Sequence, residues 1–228
     1  MKKLVIAVPM YEHVPAEFLS SFLALDKPEG TEVGFTRGTL VYNARNQLFK
    51  EAVARGADLI FWLDSDILCP PDTLSRFAHR LKVTKDVGED PDKCILSGLY
   101  FKRGLPTEPV IAKSIEWWQS DTDVHQKVEL FHGYGKYRSW FEVAGCGFGC
   151  CLMPTKAVLD VANHFNMPPF DPLPGLGEDL SFCFKAQQLG YKIWCDPKTK
   201  CGHVGVHVYT EADYLLQQEQ KVETYDGI

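Results

Sequence analysis

Apolar positions along this chain fall in short runs separated by turn chemistry. Leu4 to Val8 is wholly apolar after Lys2 and Lys3, and Pro9 stops it; it predicts a first strand over Lys3 to Val8. Pro15 to Leu25 carries Phe18, Leu19, Phe22 and Leu25 at helical spacing. A short strand is predicted near Glu32 to Phe35, closed by Gly38. Leu40 to Arg55 reads as a helix with Leu40, Ala44, Leu48, Ala52 and Val53 on one face, and Gly56 ends it. Leu59 to Leu63 is again fully apolar, flanked by Gly56-Ala57-Asp58 and Asp64-Ser65-Asp66. Near-continuous apolar strands joined through helices by short links are the pattern of a parallel sheet covered on both faces.

The alternation continues. Pro70 to Lys82 is a helix with prolines at its start, where the missing N–H costs nothing. Lys85 to Lys93 is a charged loop, and Cys94 to Phe101 a strand opening onto Lys102 and Arg103. Glu116 to Lys136 shows no period and is expected to be irregular. Ser139 to Met153, with glycines at 145, 147 and 149, reads as strands; this is not a dinucleotide fingerprint, because no helix follows the glycines. It points to close backbone packing or a bulge beside a ligand. Thr155 to Phe165 is helical, Pro168 to Gly177 a loop, Leu180 to Leu189 a helix, and Tyr191 to Cys195 a strand. The stretch from Glu211 is polar, helical or partly disordered.

Length and charge narrow the class. The chain has 228 residues, suiting one large domain, and a net charge of −6, which argues against nucleic acid as main partner. No apolar stretch reaches the length of a membrane span, and the apolar N-terminal run is too short for a signal peptide; a cytoplasmic protein is expected. Eight cysteines include no CxxC pair, so reduced buried thiols are expected rather than a disulfide framework. Cys195 and Cys201 with His203 could form part of a zinc site, but the usual close-spaced pairs are missing.

Candidate chemistry gathers at strand ends. Asp64 and Asp66, at period-2 spacing beyond a buried strand, point to one side and could hold a divalent cation; Asp-Ser-Asp is also good turn chemistry. Pro9-Met10-Tyr11 and Tyr100 to Arg103 end strands in the same way, where open α/β sheets bind ligands. Glu178-Asp179 opens a helix, where carboxylates are favoured by the exposed amides, and the preceding loop could carry them into a cleft as a base. Gly202-His203-Val204-Gly205 offers a histidine that is either structural or a metal ligand; His207 has less motif support. Trp117 and Trp118 could stack on sugar rings or simply pack.

Together these motifs, with Ala44-Arg45-Asn46, Gly177-Glu178-Asp179 and Gly190-Tyr191-Lys192-Ile193, resemble the glycosyltransferases of the GT-A fold, particularly the family-2-like group. The likeness runs from about residue 3 to 208. It implies a single-domain α/β fold: a Rossmann-like, mostly parallel sheet flanked by helices, with a smaller mixed sheet on the acceptor side. Residues 1–210 would form the domain, with 1–103 binding the nucleotide sugar and 104–210 the acceptor, and 211–228 a polar tail.

The resemblance further implies a hexosyltransferase. It would use a UDP- or GDP-linked sugar donor, manganese or magnesium, and a glycan or other hydroxyl acceptor. Asp66 would bind the metal with Asp64 and His203, and Asp64 would also approach the donor. Pro9, Tyr11, Arg45, Asn46 and Ser65 would line the nucleotide pocket. Asp179, beside Glu178, would be the base of an inverting transfer. One departure is that Thr36-Arg37-Gly38 stand where an acidic residue would hold a uracil. Two other readings use the same residues. A sugar-phosphate nucleotidyltransferase would usually show a glycine-rich phosphate loop after the first strand, and Pro9 to Glu12 is none. A non-catalytic nucleotide-sugar or carbohydrate-binding domain would tolerate loss of Asp179.

Overall fold

A computed structural model describes residues 2–10, 13–205 and 208–225, with side chains through residue 219. In chain order the elements begin β1 (Leu4–Met10), α1 (Ala16–Ala24), β2 (Glu32–Arg37), α2 (Val41–Ala54), β3 (Leu59–Leu63), β4 (Ile67–Leu68), α3 (Thr73–Asp86) and β5 (Cys94–Leu99). Then follow β6 (Ile111–Gln119), β7 (Val124–Leu130), β8 (Phe141–Val143), β9 (Gly145–Cys146), β10 (Cys150–Pro154) and α4 (Thr155–Phe165). The chain closes with α5 (Glu178–Gln188), β11 (Lys192–Lys200), β12 (Gly202–Val204), β13 (Val208–Tyr209) and α6 (Glu211–Tyr225).

The central sheet has the order β2-β1-β3-β10-β5-β11-β8. β1 is parallel to β2 and β3, and β5 is parallel to β11, while β10 and β8 run antiparallel to their neighbours. The architecture is therefore mixed α/β. Period-2 alternation splits the core in two. Val5, Ala7, Ile60 and Trp62 face α2, α4 and α5, packing on Leu48, Val158 and Phe182. Leu4, Ile6, Val8, Phe61 and Leu63 face α1 and α3, packing on Phe18, Leu74 and Phe77. The apolar runs are continuous because both faces are covered.

Two smaller three-stranded sheets, β13-β12-β4 and β7-β6-β9, flank the central one. The second corrects the expectation of an irregular stretch over Glu116 to Lys136. β6 and β7 form an antiparallel hairpin there, pairing Ile115 with Val128 and Trp117 with Gln126. Both faces of the ribbon are largely exposed, so its hydrophobic residues have no strict alternation to display. Helix α5 begins at Glu178 rather than Leu180, and β11 runs on to Lys200 rather than stopping at Cys195. Helix α6 is docked: buried Tyr214 stacks on Phe101, and Gln217 Oε1 accepts from Thr107 N at 2.7 Å.

Candidate functional site

The strand order decides where the site lies. From β1 the chain moves outward to β2, then returns through α2 to β3 on the other side of β1. Loops leaving β1 and β3 thus diverge at their carboxyl ends and leave a crevice. A cavity of about 470 Å³ occupies it. Pro9 and Met10 from β1, Asp64, Ser65 and Asp66 after β3, and Tyr100, Lys102 and Arg103 after β5 line it, with His203 from β12. Thr39, Val41 and Ala44 close the remaining side.

The short strand β4 follows Asp66 directly and pairs with β12, with His203 opposite Ile67. That pairing brings the two candidate ligands together: His203 Nε2 stands 3.5 Å from Asp66 Oδ2. His203 Nδ1 lies 2.7 Å from Phe101 O and can only donate to that carbonyl, which leaves Nε2 as the acceptor in the neutral ring. Arg103 Nη1 also reaches Asp66 Oδ2, at 3.0 Å, from a half-exposed side chain. The same carboxylate oxygen therefore faces the imidazole Nε2 and a half-exposed guanidinium.

Asp64 is held differently. Its Oδ1 accepts from Arg45 Nη2 at 2.9 Å, and Arg45 Nε donates to Glu178 Oε1 at 3.1 Å. Arg45 is fully buried beneath the cavity floor, between the rings of Trp62 and Phe148. Burial alone would lower its pKa, but Asp64 and Glu178 more than offset that and keep it charged. Burial raises the Asp64 pKa despite the arginine, with Asp66 and Glu178 adding to the rise.

Glu178 and Asp179 sit in the first turn of α5 after Gly177. They do not line the cavity; Glu178 is joined to Asp64 on its wall through Arg45. Asp179 Oδ1 accepts from Leu180 N at 2.7 Å. Burial first, and the neighbouring Glu178 charge second, push Asp179 up to about 7. Tyr100 lies within electrostatic reach of both sides: burial, then Asp64 and Asp179, raise its phenol well above the ordinary value. Its Oη accepts from Gly149 N at 3.1 Å. A Cβ on Gly147 would lie 1.9 Å from that hydroxyl, so the glycine run serves close packing around Tyr100.

Other candidates fall elsewhere. Asn46 ties α2 to the loop before α5, donating to Asp171 Oδ1 at 2.8 Å and accepting from Phe170 N at 3.1 Å. Arg45 sits under the pocket rather than on its wall. Tyr11 and His207 lie outside the described residues. Trp117 Nε1 donates to Pro174 O at 3.1 Å and the ring meets Phe184, so this tryptophan packs the hairpin onto the loop. Trp118 is half-exposed and stacked on His125. Thr39 was not singled out by sequence; it follows Gly38, whose positive φ turns the chain at the end of β2. All eight cysteines are buried and unpaired. Cys201 does not join Cys195 and His203 but gathers with Cys69 and Cys150.

The fold is similar to that of a solved structure, A197 from STIV. The TM-score is 0.59 at 16% identity, over 90% of this chain and 86% of that one. No protein-family model matches the chain, and no curated protein does. Among the described residues no helix is long and apolar enough to cross a membrane.

Proposed function

We propose that this chain is a metal-dependent glycosyltransferase of GT-A type, moving a hexose-type sugar from a nucleotide-diphosphate donor to an acceptor hydroxyl. The observation that carries this reading is the convergence of Asp66 Oδ2 and His203 Nε2 at the floor of the cavity. Two donors each about 2.1 Å from one ion stand roughly 3.0–3.4 Å apart at right-angle to tetrahedral geometry. The observed 3.5 Å is close to that. A mixed carboxylate–imidazole set suits manganese better than magnesium, which prefers oxygen throughout.

Asp66 and His203 would hold the ion, with Asp64 beside them; when bound, it neutralises charge on the departing diphosphate. Arg45 fixes Asp64 by one nitrogen and Glu178 by another, so both carboxylates keep one orientation without a rotamer search. Lys102 and Arg103 at the rim are placed to meet phosphate oxygens. Asp179 is the base. Its carboxylate takes the acceptor hydroxyl proton as that oxygen bonds to the anomeric carbon and the bond to the diphosphate oxygen breaks. A pKa near 7 suits that exchange at neutral pH. Glu178 is a positioning residue, engaged by Arg45. In-line attack inverts the anomeric centre.

The test is binding of UDP- and GDP-sugars measured by thermal shift, with and without manganese. A melting temperature raised by a nucleotide sugar only with the metal supports the reading. No metal-dependent shift with any nucleotide sugar sinks it.

A further inference from the structure

Cys69 follows β4, Cys150 opens β10, and Cys201 links β11 to β12. These three thiols come from distant parts of the chain, yet all their sulfurs lie within 4.8 Å of one another, and all three side chains are buried. The Cys69 and Cys201 sulfurs are 3.8 Å apart. Two sulfurs each about 2.3 Å from one ion stand roughly 3.8 Å apart in a tetrahedral and 4.0 Å in a trigonal arrangement. A disulfide needs about 2.05 Å, so the spacing matches shared coordination rather than a bond.

The sulfurs of Cys150 and Cys201 pack against a glycine. A Cβ on Gly98 of β5 would lie 2.8 Å from Cys150 Sγ and 3.2 Å from Cys201 Sγ. Gly98 is paired in the central sheet, where a glycine weakens the strand unless something needs the room. We propose that Cys69, Cys150 and Cys201 form a closed structural site for one thiophilic d10 ion, zinc(II) or copper(I). Thiolate sulfur selects ions of this class; among the described residues no fourth His, Cys, Asp or Glu joins the three sulfurs, which suits three-coordinate copper(I), while zinc(II) would add a water or backbone oxygen as its fourth ligand. Each thiolate formed on binding releases its proton to solvent. The strands that cover the site, β4 and β12, are two and three residues long. Strands this short can open locally to admit an ion, or the ion can enter as the sheet forms.

The site does not depend on the glycosyl-transfer reading, but it bears on the cavity. Cys69 lies three residues beyond Asp66, and Cys201 two before His203. An ion clamping β4 to β12 through the sheet would fix the two cavity ligands relative to each other.

The test uses the full chain, purified under reducing conditions, stripped of metal, and titrated separately with zinc(II), with copper(I) under anaerobic conditions, and with cobalt(II) as a spectroscopic probe. Bound metal is counted by mass spectrometry. The expected result is one equivalent per chain that resists a competing chelator, a thiolate-to-cobalt charge-transfer band, and a raised melting temperature. The equivalent should vanish in Cys69→Ser, Cys201→Ser and Gly98→Ala. It should persist in Cys94→Ser and in the double variant Asp66→Ala, His203→Ala, which separates this site from the cavity. No thiolate band in folded wild type overturns the proposal even if the cysteine variants fail to fold. So does a Cys69–Cys201 disulfide as the only form that reducing agent cannot convert to a metal-binding one.

Discussion

Arg45 and Glu178, 133 residues apart in the chain, meet at 3.1 Å from Nε to Oε1, and the same guanidinium holds Asp64 at 2.9 Å. One buried cation thus joins the strand-end carboxylate of the cavity to the first turn of α5. Removing it leaves two carboxylates facing each other with no counter-charge. Arg45→Met should lose about 3–5 kcal/mol of stability, the usual cost of breaking a buried ion pair from one side. Adding Glu178→Gln should recover part of the loss. Urea denaturation of the two variants checks this, and equal stability of both would break the argument.

Asp66 is shared between His203 and Arg103. An ion entering between Asp66 and His203 must displace the arginine or share its oxygen. Arg103→Ala should bind manganese alone several-fold more tightly by calorimetry, while Asp66→Ala should bind it hardly at all. A wild-type affinity in Arg103→Ala would show that the arginine does not compete.

Asp179 is pushed up from 3.8 to about 7 by burial and by Glu178. The folded protein therefore holds this proton more tightly than the unfolded chain. Stability from it is complete below pH 3.8 and is lost as pH rises towards about 7. Asp179→Asn removes that loss and should melt above wild type at pH 8 while melting alike at low pH. Turnover should run the other way, with kcat/KM rising as the carboxylate ionises through about pH 7, and Asp179→Asn should show no such rise. Melting curves and rates across pH read both signs.

Lys185 is buried on α5 and donates to Pro169 O at 2.9 Å and Asp171 O at 3.0 Å. It braces the proline-rich loop from inside. Lys185→Met leaves those carbonyls unpaired and should cost about 1–3 kcal/mol. Hydrogen exchange should speed up between residues 166 and 177 and little elsewhere. Global acceleration with no local excess would contradict the bracing role.

The apolar runs made the first strands, α2 and the strand-end carboxylates legible, because burial on both sheet faces leaves a continuous hydrophobic signal. The β6–β7 hairpin was not, since Lys113, Glu116, Gln126 and Glu129 stand in a ribbon wet on both faces. Its one readable mark was Ser120 to Asp123, a turn-rich tetrad between the strands. Arg45 is a pocket residue only by the family resemblance. Its true partners are fixed by tertiary packing, and no local period encodes a contact spanning 133 positions. The thiol trio was hidden for the same reason: its members come from the end of β4, the start of β10 and the link between β11 and β12, far from any CxxC spacing.

The position of β10 has a consequence for how the chain assembles. Residues 150–154 wedge between β3 and β5, which do not touch each other in the sheet. A ribosome that has delivered only the first hundred residues has made one three-stranded fragment, β2-β1-β3, and a lone β5 whose two sheet neighbours are still to come. Asp64 N has no Gly149 carbonyl to meet until the later strand arrives. A chain severed near residue 103 should therefore yield pieces that aggregate separately and associate when mixed, rather than two self-sufficient modules.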